Sequence, residues 1–295
     1  MSQPSALKAW ALAARPKTLA AGVVPVLVGT GVAWSEGSVH WGAATAAAVC
    51  SILIQIATNL ANDYFDAKKG ADTADRLGPD RAVQQGWISP RAMLAGTAVT
   101  LILAFILGLY LIALGGPVIA AIGIMSLIAA VAYTGGPYPL AYVGLGDLFV
   151  FLFFGLAAVV GTTWVQTLTA PPAAWIGGAA TGLLATAILV VNNLRDRTTD
   201  AVAGKRTLAV RFGPDFARAE HALLIVAAFV VVGAGAAAGL VPIAWCALSL
   251  LCLPLAIHEI RAVRAKDGRE LNPHLAGAAR LEVCFGLALV MGSVL

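Results

Sequence analysis

Two short polar segments interrupt a chain otherwise made of apolar runs. The first is Asn62-Asp63-Tyr64-Phe65-Asp66-Ala67-Lys68-Lys69-Gly70-Ala71-Asp72, which follows the run from Trp41 to Ala61. The second is Asn192-Asn193-Leu194-Arg195-Asp196-Arg197-Thr198-Thr199-Asp200, which follows the run from Trp175 to Val191. At helical spacing Asn62 and Asp66 share a face, as do Asn192, Asp196 and Asp200. Two oxygen-rich helix ends form the donor set of a hard cation. Asn62, Asp63, Asp66, Asp72, Asn192, Asp196 and Asp200 are the candidate metal ligands, in a constellation that also holds Asp75. A lone Asp at a helix end is ordinarily a solvated cap. Two matched clusters favour Mg²⁺, which relieves repulsion between facing carboxylates and leaves coordination positions for phosphate oxygens.

Basic side chains lie among these acids: Lys68, Lys69, Arg76, Arg81, Lys205 and Arg206. A metal alone does not need them, whereas a polyanion bridged to the carboxylates by Mg²⁺ does. Gly204-Lys205-Arg206-Thr207 is the best candidate for direct phosphate contact, although it lacks P-loop spacing. Arg15, in Arg15-Pro16-Lys17-Thr18, reads either as a topological anchor or as an anion contact. A third segment, Tyr133-Thr134-Gly135-Gly136-Pro137-Tyr138-Pro139-Leu140 and then Gly144-Leu145-Gly146-Asp147, is a tight Gly- and Pro-shaped turn. Asp147 opens the next helix, where the dipole favours a carboxylate; the alternative is an acid or base facing a pocket. Tyr133 and Tyr138 read as ring faces for a developing cation or as interfacial aromatics. The four histidines share no metal spacing and receive no role.

The elements that position these residues belong in lipid. Sixty per cent of residues are hydrophobic and 12% are charged, against about 25% charged in a soluble domain. The mean hydropathy is +0.86. The apolar runs are long enough to cross a hydrocarbon core of about 30 Å. They imply a single all-α membrane domain over residues 1–295, with about nine transmembrane helices. The spans fall at roughly 19–35, 41–61, 92–114, 117–134, 147–167, 174–193, 221–238, 241–260 and 279–295.

Nine spans place all 19 Lys and Arg on one side of the membrane. The positive-inside rule makes that side cytoplasmic, with the N-terminus inside and the C-terminus outside a cell membrane. By the same count only Glu36 among the 15 acids lies on the far side. Trp34, Trp41, Trp164, Trp175 and Trp245 fall near the far surface, as an aromatic belt requires. The net charge of +4 is dispersed over loops, which argues against a nucleic-acid partner. Cys50, Cys246, Cys252 and Cys284 read as small buried thiols, and no cleavable signal peptide is evident. Gly78-Pro79-Asp80 recurs as Gly213-Pro214-Asp215, a weak trace of internal duplication. A transporter using intramembrane acids is the rival reading. It is disfavoured because the acids sit at one face rather than at the midplane.

Asn62-Asp63-x-x-Asp66 followed by Asp196-x-x-x-Asp200, each after a membrane span, resembles the aspartate motifs of UbiA-type intramembrane aromatic prenyltransferases. The likeness covers essentially the whole chain and implies an all-α bundle of transmembrane helices around a central cavity that opens toward the cytoplasmic face. The 62–72 segment, Leu77-Gly-Pro-Asp-Arg81, Tyr133 to Leu140, Gly144 to Gly155 and Gly204-Lys-Arg-Thr-Leu208 resemble the branch that acts on 1,4-dihydroxy-2-naphthoate in menaquinone synthesis. The family's first motif often carries an Asp four residues after the second acid; here that position is Gly70, and the next acid is Asp72. The resemblance implies transfer of a polyprenyl group from polyprenyl diphosphate to that acceptor, with loss of CO₂, giving demethylmenaquinone. It implies Asp66 and Asp196 as catalytic residues with Asp147 or Tyr138 near the acceptor. It assigns Arg15, Lys68, Arg81, Tyr133, Lys205 and Arg206 to substrate. Other acceptors of the wider family, such as 4-hydroxybenzoate, homogentisate, or a chlorophyllide or haem tail, remain the alternative.

Overall fold

The computed structural model describes residues 4–70 and 77–295; Asp72, Asp75 and Arg76 lie outside the described residues. Every regular element among the described residues is helical. A short surface helix α1 (Ala6–Ala14) turns at Arg15, whose φ is 52°, into α2 (Pro16–Ser35). There follow α3 (Trp41–Lys68), α4 (Pro90–Ala132), α5 (Gly146–Thr167), α6 (Pro172–Val202), α7 (Leu208–Ala237), α8 (Ile243–Ala265) and α9 (Asn272–Val294). The eight helices from α2 onward are long and apolar enough to cross a membrane.

The 43 residues of α4 would measure roughly 65 Å if straight, twice the thickness of a hydrocarbon core. They are two arms. Gly116, at φ 66° and ψ −152°, breaks the helix ahead of Pro117. Leu111 and Ile119, on either side of the break, both pack near Ala43 and Ala46 at the start of α3. The far ends return together to the other end of α3, where Met93 packs on Leu60 and Thr134 bonds Asn62. The arms are therefore antiparallel, and among the described residues the helices run nine lengths of the bundle, the number that the hydropathy implies.

The helices outrun their apolar windows at the polar end. α3 continues to Lys68 and α6 to Val202, while α9 starts at Asn272 rather than near 279. Hydropathy marks where lipid ends; a helix supported by its own hydrogen bonds and by neighbours need not stop there. These extra turns carry the polar residues.

The main core joins Val24, Val28 and Val32 of α2 to Leu184 of α6, Ile225 of α7 and Phe285 and Leu289 of α9. α5 contains a π-helical stretch, Phe151–Ala157. There Gly155 meets α6 so closely that an added Cβ would lie 2.5 Å from the Gly178 carbonyl oxygen and 2.6 Å from the Gly182 Cα. Small residues permit this backbone approach.

Three expectations are corrected. Trp245 is not part of a surface belt; it is 1% exposed and donates to Ser293. Cys284 is exposed rather than buried. The two Gly-Pro-Asp copies are not equivalent, since Gly78-Pro79-Asp80 lies in a loop whereas Gly213 and Pro214 break α7 near its start.

A side chain at Gly116 would have to adopt a backbone region open essentially to glycine, at a cost of about 1–3 kcal/mol. Gly116→Ala is expected to lower the melting temperature of the detergent-purified protein. Gly233→Ala, in open space on α7, should leave it unchanged or raise it.

Candidate active site

The C-terminal ends of α3 and α6 meet at one end of a cavity of about 840 Å³. Asn62 and Asp66 reach it from α3, and Asn192, Asp196 and Asp200 reach it from α6. The i, i+4 spacing is what turns each set inward. Asn62 accepts a hydrogen bond from the Thr134 hydroxyl at 2.7 Å, and Asp66 Oδ1 accepts from the Tyr142 hydroxyl at 2.8 Å. Arg81 Nη2 lies 3.6 Å from Asp66 Oδ2. Across the mouth, Arg195 Nε and Nη2 donate to the two oxygens of Asp196 at 2.7 and 2.5 Å. The same Nη2 reaches Asn192 Oδ1 at 2.7 Å, and Nη1 reaches Asn272 Oδ1 at 3.0 Å. Lys205 stands 3.8 Å from Asp200. Arg15 and Tyr133 also line the cavity.

Below this rim the wall is largely apolar, with Ile54, Phe105, Leu111, Ile119, Phe149 and Phe153 among the lining residues. The Phe149 and Phe153 rings stack with centroids 5.8 Å apart. Lys69 donates to the Thr134 carbonyl at 2.6 Å and sits 4.1 Å over the Tyr142 ring. Partial burial lowers its pKa, Asp66 opposes that, and Lys205 adds to it.

Several expected residues are not brought to the cavity. Asp63 is 1% exposed and accepts from the backbone N–H groups of Ala82 and Val83 at 3.0 and 3.1 Å. One residue past Asn62 is about 100° around the helix, so Asp63 faces the loop that follows α3 and holds it. Lys68 and Arg206 are exposed, and Tyr138 is 80% exposed. What Arg206 contributes is its backbone N–H, given to the Tyr142 carbonyl at 2.9 Å. Asp147 is buried beside a small separate pocket shared with Tyr133, Asn193 and Thr207. Asp72 lies outside the described residues.

Arg195, Tyr142 and Asn272 were not foreseen as site residues. For Arg195 a signal existed, because it is i+3 from Asn192 inside the motif. Tyr142 and Asn272 arrive from distant turns, which no local pattern reports.

A second polar group lies between α8 and α9. His274 Nδ1 meets Glu259 Oε2 at 2.8 Å, and Lys266 Nζ meets His274 Nε2 at 2.8 Å. With His258 beside it the set has metal-binding proximity. The Lys266–His274–Glu259 chain satisfies itself, however, and reads as a staple across the α8–α9 turn. Glu282, within α9, is fully buried, and neither carboxylate oxygen has a hydrogen-bond partner among the described residues. Glu282 is thus an acid within a helix long and apolar enough to cross a membrane, although neither Glu259 nor Glu282 lines the cavity.

Carboxylate and carboxamide oxygens from two helices, ringed by cations above an apolar cavity, suit a divalent ion and a charged head group carrying a lipid tail. That combination defines an intramembrane helical bundle built to bind an anionic lipid head group at its mouth. The model of the UbiA prenyltransferase family matches residues 22–278, and the chain belongs to that family. It is 38% identical to the 1,4-dihydroxy-2-naphthoate octaprenyltransferase of Escherichia coli, over 98% of this chain and 96% of that one. It is 40% identical to the protein of the same name from Mycobacterium tuberculosis, over 95% and 94%. The fold resembles that of a UbiA homolog from Archaeoglobus fulgidus bound to GPP and Mg²⁺, with TM-score 0.65, 17% identity and coverage of 96% and 99%.

Two outcomes test this geometry. Asp63→Ala strips the acceptor from two backbone donors, at about 1–3 kcal/mol for each buried group left unsatisfied. Hydrogen exchange should rise at Ala82 and Val83, while the helix-borne Asn62, Asp66, Asn192, Asp196 and Asp200 stay in place. The second concerns Asp267, which is bonded to both Arg197 guanidinium nitrogens. Hydrogen bonding to Arg197 holds its carboxyl below the ordinary value, against partial burial. A depressed folded-state pKa contributes stability that is complete above the unfolded value of about 3.9 and is lost as pH falls through the lower folded value. Melting temperature should fall more steeply below pH ~4 in the wild type than in Asp267→Asn, by a small margin because the aspartate side chain is 45% exposed.

Proposed function

We propose that this protein transfers a polyprenyl group from polyprenyl diphosphate to 1,4-dihydroxy-2-naphthoate. The observation that carries the reading is the convergence of Asn62, Asp66, Asn192, Asp196 and Asp200, rimmed by Arg15, Arg81, Arg195 and Lys205, above an apolar cavity. Full-length relatives at 38% and 40% identity support the choice of acceptor.

The five oxygen-bearing side chains suit Mg²⁺, and the A. fulgidus homolog's bound GPP and Mg²⁺ support that assignment. When bound, the ion neutralises diphosphate charge and favours its departure. Arg81, Arg195 and Lys205 meet the remaining phosphate charge, and the apolar wall takes the isoprenoid chain. The bond between the allylic carbon and the diphosphate oxygen breaks as the ring carbon bearing the carboxylate bonds to the allylic carbon. The carboxylate then leaves as CO₂ and its electron pair restores the aromatic ring. The product is demethylmenaquinone at the quinol level, with diphosphate released. The enclosed wall keeps water from the allylic cation. The Tyr133 ring, facing the cavity, favours that cation through its π-face. Asp147 and Tyr138 are given no part, because neither lines the cavity.

By the positive-inside rule the mouth faces the cytoplasm and the protein spans the cell membrane. Nine passages put Leu295 at the end opposite the mouth.

In membranes supplied with dihydroxynaphthoate, a labelled prenyl diphosphate and excess Mg²⁺, Asp66→Ala and Asp196→Ala should each reduce transfer at least about a hundredfold. Chelation of divalent ions should abolish it in the wild type. Near-normal transfer by both variants would sink the site, and a preference for 4-hydroxybenzoate or homogentisate would change the acceptor.

A further inference from the structure

Beneath the charged mouth, one face of α3 continues as a polar stripe on the cavity wall. Asn62 is followed toward the helix start by Thr58 and Asn59, then Gln55 and Ser51, and all five line the cavity together with Thr18 of α2. Gln55 is seven residues from Asn62, roughly 10 Å along the axis.

The protons on this stripe are already committed. Thr18 donates its hydroxyl to the Arg15 carbonyl at 2.9 Å, Ser51 to the Gly22 carbonyl at 2.7 Å, and Thr58 to the Ile54 carbonyl at 2.9 Å. Asn59 spends its amide on the Ala14 carbonyl at 2.9 Å and on Thr18 Oγ1 at 3.0 Å.

This fixes how Gln55 must sit. Because Thr18 has no second proton to give, the side of Gln55 that faces it must be the NH₂, which donates to Thr18 Oγ1 at 3.3 Å. The amide is thus held in one of its two orientations, and the carbonyl oxygen is what remains. Gln55 is 9% exposed, and its Oε1 has no hydrogen-bond partner. A buried acceptor left unmet is destabilising, and a ligand that supplies a donor recovers that free energy. The isoprenoid chain has none. A phenolic hydroxyl of the aromatic acceptor has one, and a ring lying between the diphosphate and the apolar depth would bring it to this height.

We infer that Gln55 is a specificity-determining residue: its Oε1 accepts a hydrogen bond from a ring hydroxyl of the aromatic substrate, selecting hydroxylated acceptors over their ethers or quinones. The inference rests on the proposed prenyl transfer to such an acceptor. The hydrogen bond also leaves more electron density on the ring oxygen, which favours attack by the ring on the allylic carbon. Gln55 stays neutral and takes no proton.

The test uses the full-length protein in detergent. Gln55→Met keeps length and removes the oxygen. Gln55→Met should raise the KM for dihydroxynaphthoate about tenfold, the equivalent of one lost hydrogen bond, with the KM for prenyl diphosphate within about twofold. In the wild type, a phenol should protect against thermal unfolding better than its methyl ether, and Gln55→Met should erase that difference. Should Gln55→Met fail to fold, the wild-type phenol-to-ether comparison decides alone. An unchanged acceptor KM in Gln55→Met, or equal protection by phenol and ether in the wild type, overturns the inference and reduces Oε1 to the partner of a trapped water. A parallel rise in both KM values with a lower melting temperature overturns it in favour of a structural role. If wild-type protein transfers prenyl groups to no phenol, the proposed function itself fails.

Discussion

Three carboxylates, Asp66, Asp196 and Asp200, are carried into the end of a helical bundle where each is less than 10% exposed. Burying charge costs several kcal/mol per ion unless partners are supplied in good geometry, and much of the surrounding structure supplies them. Arg195 lies against Asp196 on the same helix, Lys205 reaches Asp200 from the turn after α6, and Arg81 comes to Asp66 from a loop. That loop is in place because Asp63 binds its backbone. A residue that reads as a metal ligand thus acts one step removed, by delivering the cation that faces its neighbour.

The second constraint is that a charged mouth must open onto a dry interior. The Gly116 break folds one long apolar segment into two arms, and both contribute to the cavity wall, Phe105 and Leu111 from one and Ile119 from the other. On the opposite side, the close approach of α5 to α6 through Gly155, Gly178 and Gly182 sets the π-helical stretch and the Phe149–Phe153 pair against the cavity. Where polar groups do enter this wall, below Asn62, their protons are spent within the protein, so the depth remains inhospitable to water except at Gln55.

The bundle and the two motifs are legible in the sequence because both rest on short-range periodicity. Apolar length marks the passages, and i, i+4 spacing sets Asn62 with Asp66 and Asn192 with Asp196. What fails is anything decided by a partner distant in the chain. Asp63 differs from Asn62 by a single step around the helix, and only the position of Ala82 and Val83 shows that it looks away. Tyr138 and Tyr142 are four residues apart in one turn; the first is solvent-exposed and the second holds Asp66, a distinction set by how the turn packs on α3. Composition likewise treated Trp245 as an interfacial ring, although Ser293 of α9 draws its indole N–H into the core.

The two motifs match in sequence but differ mechanically. The first receives its guanidinium from Arg81, on a loop held through backbone hydrogen bonds to Asp63. The second carries its own, Arg195, on the helix that bears the acids. Arg195 has little freedom to leave. It is 2% exposed, holds Asn192, Asp196 and Asn272 together, and lies so near Gly78 that a Cβ there would come within 2.7 Å of Nη2. Asn272 in turn donates to the Leu77 carbonyl at 3.0 Å, so the half that carries its own guanidinium touches the loop that delivers the other. Arg81 is itself 6% exposed and is set by Asp66 and by the backbone that Asp63 binds. In the proposed reaction the diphosphate therefore meets two guanidinium groups held in advance by different means. This suits a leaving group whose charge grows as the bond breaks, since a preorganised cation lowers the barrier without reorganising.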